Sequence, residues 1–219
     1  MWRLYMHADP EHIEAYFIKG NPYLASEYEF DGDVIWSRSH ENLIPGILNK
    51  TIMSMEALLP RIKTEFNYVL RTNLSSFYVF PRLLNFLKNC PRRNFYCGSD
   101  TGDPAIGSGC GFLLSPDLVE LLINNKKYLL DNISSYDDVI LGTFLKRSGV
   151  PLISHKRMSF YTLEEWNDQK NIIMPDIFQF RIKNQPALRL SNELYIHLQL
   201  LKMFYPSKYP GLPQRSSQN

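Results

Sequence analysis

The chain has 219 residues, 44% of them hydrophobic and 21% charged, with a formal net charge of +2 at pH 7. That length and apolar share suit one globular unit with a substantial core. The near-neutral balance gives no electrostatic basis for bulk binding to nucleic acid or to an anionic membrane. Aromatic residues are abundant, with 13 Tyr, 13 Phe and 3 Trp; stacking pockets for bases or sugars would use them, and so, more simply, would an aromatic-rich core.

No run approaches the ~18 apolar residues of a membrane span, and the opening MWRLYMHADPEH is too polar for a secretory leader. Cys90, Cys97 and Cys110 are odd in number and form no C-x-x-C pair, against a disulfide scaffold or a zinc ribbon. A reducing, cytoplasmic compartment is the expectation. Asn-x-Ser/Thr triplets at Asn49, Asn73 and Asn132 are no more than the composition would produce by chance.

In chain order, residues 2–6 predict a strand closed by His7-Ala8-Asp9-Pro10, and residues 15–18 a second closed by Lys19-Gly20-Asn21-Pro22. Residues 33–36 (DVIW), after Asp31-Gly32, predict a third. Helical spacing then runs over 43–63, through Ile47, Ile52, Met55, Leu58 and Leu59, with Lys50 on the other face and Pro60 placed to kink or end the helix. Tyr68, Val69 and Leu70 approach as a strand, and the polar turn Arg71-Thr72-Asn73-Leu74-Ser75-Ser76 follows. Phe80, Leu83, Leu84 and Leu87 predict a helix over 81–89.

The segment NFYC predicts another strand, leading through the loop GSDTGDPAIGSGCG to the strand FLLS. Pro116 opens a helix, PDLVELLINN, at a position that tolerates proline. A helix over 138–148 is opened by Asp137-Asp138 and ended by Gly149. Beyond Pro151 the chain is strand-rich and aromatic (MSFYT, IFQFRIKN), with a last helix over 191–204 and a Pro- and Ser-rich linker or frayed tail over 206–219. Alternating strands and helices predict an α/β fold, a mixed and mostly parallel central sheet flanked by helices, with a strand-rich C-terminal part. Residues 1–205 are expected to form a single domain.

Four of these segments, in this order, resemble the β-1,3-galactosyltransferase and Fringe group of GT-A-fold glycosyltransferases. DVIW followed by ENLIPGILNKT matches the group's D-I-hydrophobic and N-L-T-x-K-T pattern, ending on Lys50-Thr51. YVLRTNLSSFYVFPRLLNFL takes the place of a strand, an acidic triplet and a helix. YCGSDTGDPAIGSGCGFLLS carries Gly107, Gly109, Gly111 and Ser115 where the group has its glycine motif, and Asp137-Asp138-Val139 stands for Glu-Asp-Val. The later segment IFQFRIKN, with Arg189, is similar in outline to polysaccharide-type and large-virus capsid glycosyltransferases.

The resemblance implies a Rossmann-like GT-A domain that moves a hexose or deoxyhexose from a nucleotide-sugar, a UDP-sugar above all, to a glycan or glycoprotein acceptor. It implies that Asp138 is the general base, with Asp137 beside it. Asp residues at a helix start are also ordinary caps, so one of the pair could cap while the other faces the cleft. The Asp-x-Asp turn that binds Mn²⁺ or Mg²⁺ in such enzymes falls on Asn73-Leu74-Ser75, where neutral oxygens replace both carboxylates and make poor ligands for a hard cation.

Two solutions stay open for the diphosphate charge: basic residues such as Arg71, Lys50, Arg181 or Lys183, or a cation held by Asp100 and Asp103. Asn73 and Ser75 would then contact the nucleotide. Gly107, Ser108 and Gly109 would line the sugar pocket or simply make a tight connection between strands. His7 and Asp9 would face the base, and His155 is either a late metal ligand or structural. A domain that kept the fold and only binds nucleotide-sugar or carbohydrate is the competing class. A dinucleotide-binding enzyme is disfavoured, because no G-x-G-x-x-G follows the first strand.

Overall fold

The computed structural model describes residues 2–99, 101–103, 105–183 and 189–208. The first element is a helix, α1 (Trp2–Met6), where alternation in the sequence predicted a strand. Trp2, Tyr5 and Met6 all pack into the core at three- and four-residue spacing, which is the helical and not the extended period. Strands β1 (Phe17–Gly20), β2 (Tyr28–Asp31) and β3 (Val34–Ser37) form a small sheet in the order β1-β3-β2. Gly32, at φ +56°, makes the turn between β2 and β3, and β1 runs parallel to β3.

Helix α2 (Gly46–Glu65) lies against this sheet and runs through Pro60 without ending. It buries Leu48, Ile52, Met55 and Ile62, one stripe at helical spacing. Next come β4 (Val69–Thr72), the polar turn, β5 (Ser76–Tyr78), α3 (Phe80–Leu87), β6 (Tyr96–Ser99), the glycine loop and β7 (Gly111–Leu114). The rest follows as α4 (Pro116–Asn124), α5 (Lys126–Asp131), α6 (Asp137–Arg147), β8 (Leu152–His155), β9 (Met158–Phe160), α7 (Leu163–Gln169), β10 (Gln179–Ile182) and α8 (Arg189–Phe204). Pro206–Lys208 make a single 3₁₀ turn; the rest of the predicted tail, 209–219, lies outside the described residues.

The single, mostly parallel sheet expected from the sequence is replaced by three small mixed ones of three, three and four strands. In the four-stranded sheet, ordered β4-β7-β6-β8, strands β4, β6 and β8 run one way and β7 runs against them. The turn at 107–111 sends β7 straight back beside β6, which inserts an antiparallel strand where a helical crossover would have kept the direction. The third sheet, β5-β10-β9, pairs β10 antiparallel to β5 and parallel to β9.

The two central strands of the four-stranded sheet, β6 and β7, are buried throughout, and the edge strands β4 and β8 only in part. Phe95, Cys97 and Leu113 join an aromatic core with α1, α3, α7, α8 and the third sheet. Tyr96, Phe112 and Leu114 join an aliphatic core under α2, α4, α5 and α6. The aromatic richness of the composition is largely spent in the first core, where Tyr5, Phe77, Tyr78, Phe80, Phe160, Trp166 and Phe180 are all buried.

Candidate functional site

Register places four chain segments at one edge of the central sheet. Thr72 pairs with Gly111, Gly98 with Phe112, and Ser99 with His155. The carboxyl ends of β4, β6 and β8 therefore open on the same side as the start of β7, the edge where α/β sheets bind ligands. Residues 73–75, the loop after Ser99, the glycine loop and the pair Lys156-Arg157 all leave the sheet there.

The first cluster centres on Gly109. Arg71, at the end of β4, donates from Nη1 to the Gly109 carbonyl at 2.5 Å and from Nη2 to Asp137. Both side chains of this ion pair are more than nine-tenths buried. Burial pushes the Asp137 carboxyl up; Arg71 opposes the rise and neighbouring Asp138 adds to it. Arg71 also lies over the Phe112 ring, 5.7 Å from its centroid. Asp138, half-buried, accepts the Gly109 N–H on Oδ2 at 2.7 Å. The two acids at the start of α6 thus do different things: Asp137 closes an internal ion pair, and Asp138 meets the loop while keeping some exposure.

Gly107, Gly109 and Gly111 of the loop are fitted to protein, whereas Gly102 faces open space. A Cβ at Gly109 would lie 2.7 Å from Asp138 Oδ2, and one at Gly111 would lie 1.8 Å from Tyr78 Oη. Gly98 and Gly107 face one another so closely that a Cβ on Gly98 would come within 2.9 Å of Gly107 Cα. Gly107 accepts its position from Tyr96, whose Oη receives the Gly107 N–H at 2.8 Å, and Ser108 is buried with its N–H on the Ser99 carbonyl. The tight-connection role is what this geometry supplies.

The second cluster centres on the next residue, Cys110, which is fully buried. Arg157 Nη1 donates to its sulfur and to Ser99 Oγ, both at 2.8 Å, and Gln179 Nε2 donates to the sulfur at 3.2 Å. Burial pushes the Cys110 thiol up, but hydrogen bonds from Ser108, Ser99 and Arg181 and the charge of Arg157 outweigh it, and the net direction is down. Beside this cluster opens a cleft of about 480 Å³ lined by Ser99, Ser154, His155, Lys156, Arg157 and Ser159.

The other sequence-predicted residues are distributed unevenly. Asn73 is exposed, and its side chain is spent on the chain itself: Nδ2 donates to the Gly109 carbonyl at 3.0 Å and Oδ1 accepts the Ser75 N–H at 3.1 Å. Ser75 is buried and turned inward, its hydroxyl 3.3 Å from Glu193 of α8. Lys50 is paired with Glu41, which also receives the Gly20 N–H, so it pins the loop after β3 and lies outside the cluster. His7 and Asp9 follow α1 and not a strand; His7 faces Asp33 at 3.4 Å and Asp9 holds His12 at 2.8 Å.

Arg181 joins the cluster through Cys110, and Lys183 follows β10 with an exposed side chain. Asp103 caps its own turn by accepting the Ala105 N–H at 2.9 Å; Asp100 lies outside the described residues. His155 packs on Phe178 with ring centroids 4.6 Å apart, and burial lowers its pKa. Arg157, Gln179 and the Cys110 sulfur were not expected from the sequence. A basic pair directly after the strand Leu152–His155 was the available signal for Arg157.

The described donors at the turn 73–75 do not fit the hard divalent cation that the resemblance implies; the alternative holder, Asp100 with Asp103, lies partly outside the described residues. The turn at 73–75 brings no carboxylate and uses its own oxygens internally, while Asp137 is committed to Arg71. Among the described residues, no group of three or more His, Cys, Asp or Glu side chains converges as a metal would require. No helix among them is long and apolar enough to cross a membrane. In comparisons with known proteins, no family model matches the sequence, and no curated protein matches it at a significant level.

Proposed function

We propose that the chain is a GT-A-type glycosyltransferase that moves a hexose or deoxyhexose from a UDP-sugar or related nucleotide-sugar to a hydroxyl of a glycan acceptor. The observation that carries this reading is the placement of Asp138. Its carboxylate is held by the Gly109 N–H at 2.7 Å, at the edge where the carboxyl ends of β4, β6 and β8 open together. Asp138 is positioned there as the base that takes the proton of the acceptor hydroxyl. As the hydroxyl oxygen bonds to the anomeric carbon, the bond from that carbon to the diphosphate oxygen breaks and the nucleoside diphosphate leaves.

Arg71 and Asp137 are positioning residues. Their buried pair fixes the Gly109 carbonyl, and so the amide that orients Asp138. Asn73 locks the same carbonyl from the other side. A second reading, a domain that binds nucleotide-sugar without turning it over, draws support from the internal use of Asn73 and Ser75 where a catalytic turn would hold acids.

The test is transfer and donor hydrolysis by the wild type and by Asp138→Asn, with Mn²⁺, with Mg²⁺ and in EDTA. Turnover that collapses in Asp138→Asn, while UDP binding persists, supports catalysis. A wild type that binds UDP but neither transfers nor hydrolyses under any of the three conditions leaves only the binding reading.

A further inference from the structure

A diphosphate leaving group carries charge that the turn at 73–75 cannot offset through a cation. Two of the four cations first expected to do so are committed elsewhere: Arg71 to Asp137 and Lys50 to Glu41. The cleft beside Cys110 is different. It presents Lys156, Arg157 and His155 with the hydroxyls of Ser99, Ser154 and Ser159, and among the described residues no carboxylate lines it.

Both bonds of Arg157 leave from Nη1, so the N–H groups on Nη2 and Nε of its five-donor fork have no partner among the described residues. Neither Arg157 nor Arg181 has a carboxylate within ion-pair distance among the described residues. Among the described residues Lys156 has only Asp176 at 3.6 Å, with both side chains well exposed, an arrangement worth little in water. The position of the cleft is informative too: Gly109 touches Asp138 and the next residue, Cys110, touches Arg157.

We infer that this cleft is an anion site, and that Arg157 and Lys156, with the serine hydroxyls around them, bind the diphosphate of the donor directly. The identity of that anion rests on the glycosyltransferase reading; the capacity of the cleft for a phosphate-type anion does not. A guanidinium fork and an ammonium supply charge-assisted hydrogen bonds of the kind that recognise phosphate oxygens.

The experiment is calorimetric titration of the full chain with inorganic pyrophosphate and with UDP in EDTA, on wild type, Lys156→Gln, Arg157→Gln and Lys146→Gln. Lys146 is exposed in the last turn of α6 and controls for net charge. Pyrophosphate should bind the wild type, lose about tenfold in affinity in Lys156→Gln and in Arg157→Gln, and be unchanged in Lys146→Gln. Because Lys156 is exposed, its variant keeps the test decisive even if Arg157→Gln fails to fold. No binding at millimolar pyrophosphate, or equal binding by all four proteins, or equal weakening by Lys146→Gln, overturns the site. If UDP binds and sugar is transferred unaffected by either cleft variant, the inference falls and the glycosyltransferase reading stands. If pyrophosphate responds as expected and no nucleotide-sugar is bound or turned over, the anion site stands and the glycosyltransferase reading falls.

Discussion

At Asp137 the carboxylate is 7% exposed and closed onto Arg71, whereas the side chain that follows it turns to the Gly109 amide and keeps contact with solvent. Substitutions at these neighbours should separate stability from activity. Asp137→Ala strands a buried guanidinium and should cost about 3–5 kcal/mol, read as a lowered urea midpoint. Asp138→Asn keeps shape and hydrogen-bonding capacity, so its stability should stay within ~1 kcal/mol, while transfer falls by about 10²–10⁴. The sequence brought both acids to notice but could not divide the roles, because the division depends on Arg71, 66 residues away in the chain. Arg157 went unnoticed for the same reason: its partners, Ser99 and Cys110, are 58 and 47 residues away.

Among the elements, the turn at 107–111 leaves little room for a side chain at its glycines. A methyl group at Gly111 would overlap the Tyr78 hydroxyl, which is itself buried and bonded to Gln179 at 2.8 Å. Gly111→Ala should therefore cost roughly 1–3 kcal/mol in unfolding free energy. Gly109→Ala should instead displace the Asp138 carboxylate, lowering transfer more than it lowers the melting temperature. Helices with a clear apolar stripe, such as α2 and α4, were legible in the sequence. So were the apolar runs of β4, β6 and β7. Short elements held by tertiary packing were not: β2, β5, α5 and α7 are three to seven residues long. The Asp-Gly pair after β2 hinted at its hairpin, but the strand itself, YEFD, is mostly exposed and lacks an apolar face.

Across the whole molecule, two histidines, the buried His197 and the half-buried His155, make stability depend on pH. Burial lowers the pKa of both His155 and His197 below the ordinary 6.5. As pH falls past that value the unfolded chain takes up protons that the folded chain resists, so stability declines. Carboxylates with lowered pKa extend the loss at lower pH; Glu14 is held down by Arg61, and at Glu41 burial pushes the pKa up but Lys50 and the Gly20 amide together outweigh it. Melting temperatures should drop from pH 7.5 to pH 5, and the drop should be shallower in His197→Gln, whose side chain does not titrate.

The aromatic core also joins distant parts of the chain. Tyr205 donates to the Tyr78 carbonyl at 3.0 Å and receives the Phe80 N–H at 2.6 Å, and its ring lies 6.1 Å from that of Tyr5. Tyr205→Phe would orphan a buried N–H and should cost about 1–3 kcal/mol in a denaturant titration.

That closure has a consequence for biosynthesis. Tyr5 leaves the ribosome long before Tyr205 is polymerised, so the ledge formed by Tyr5, Phe77 and Phe80 lacks its Tyr205 cover until α8 and the residue after it have emerged. A nascent chain in that condition displays the kind of aromatic surface on which chaperones act and aggregates nucleate.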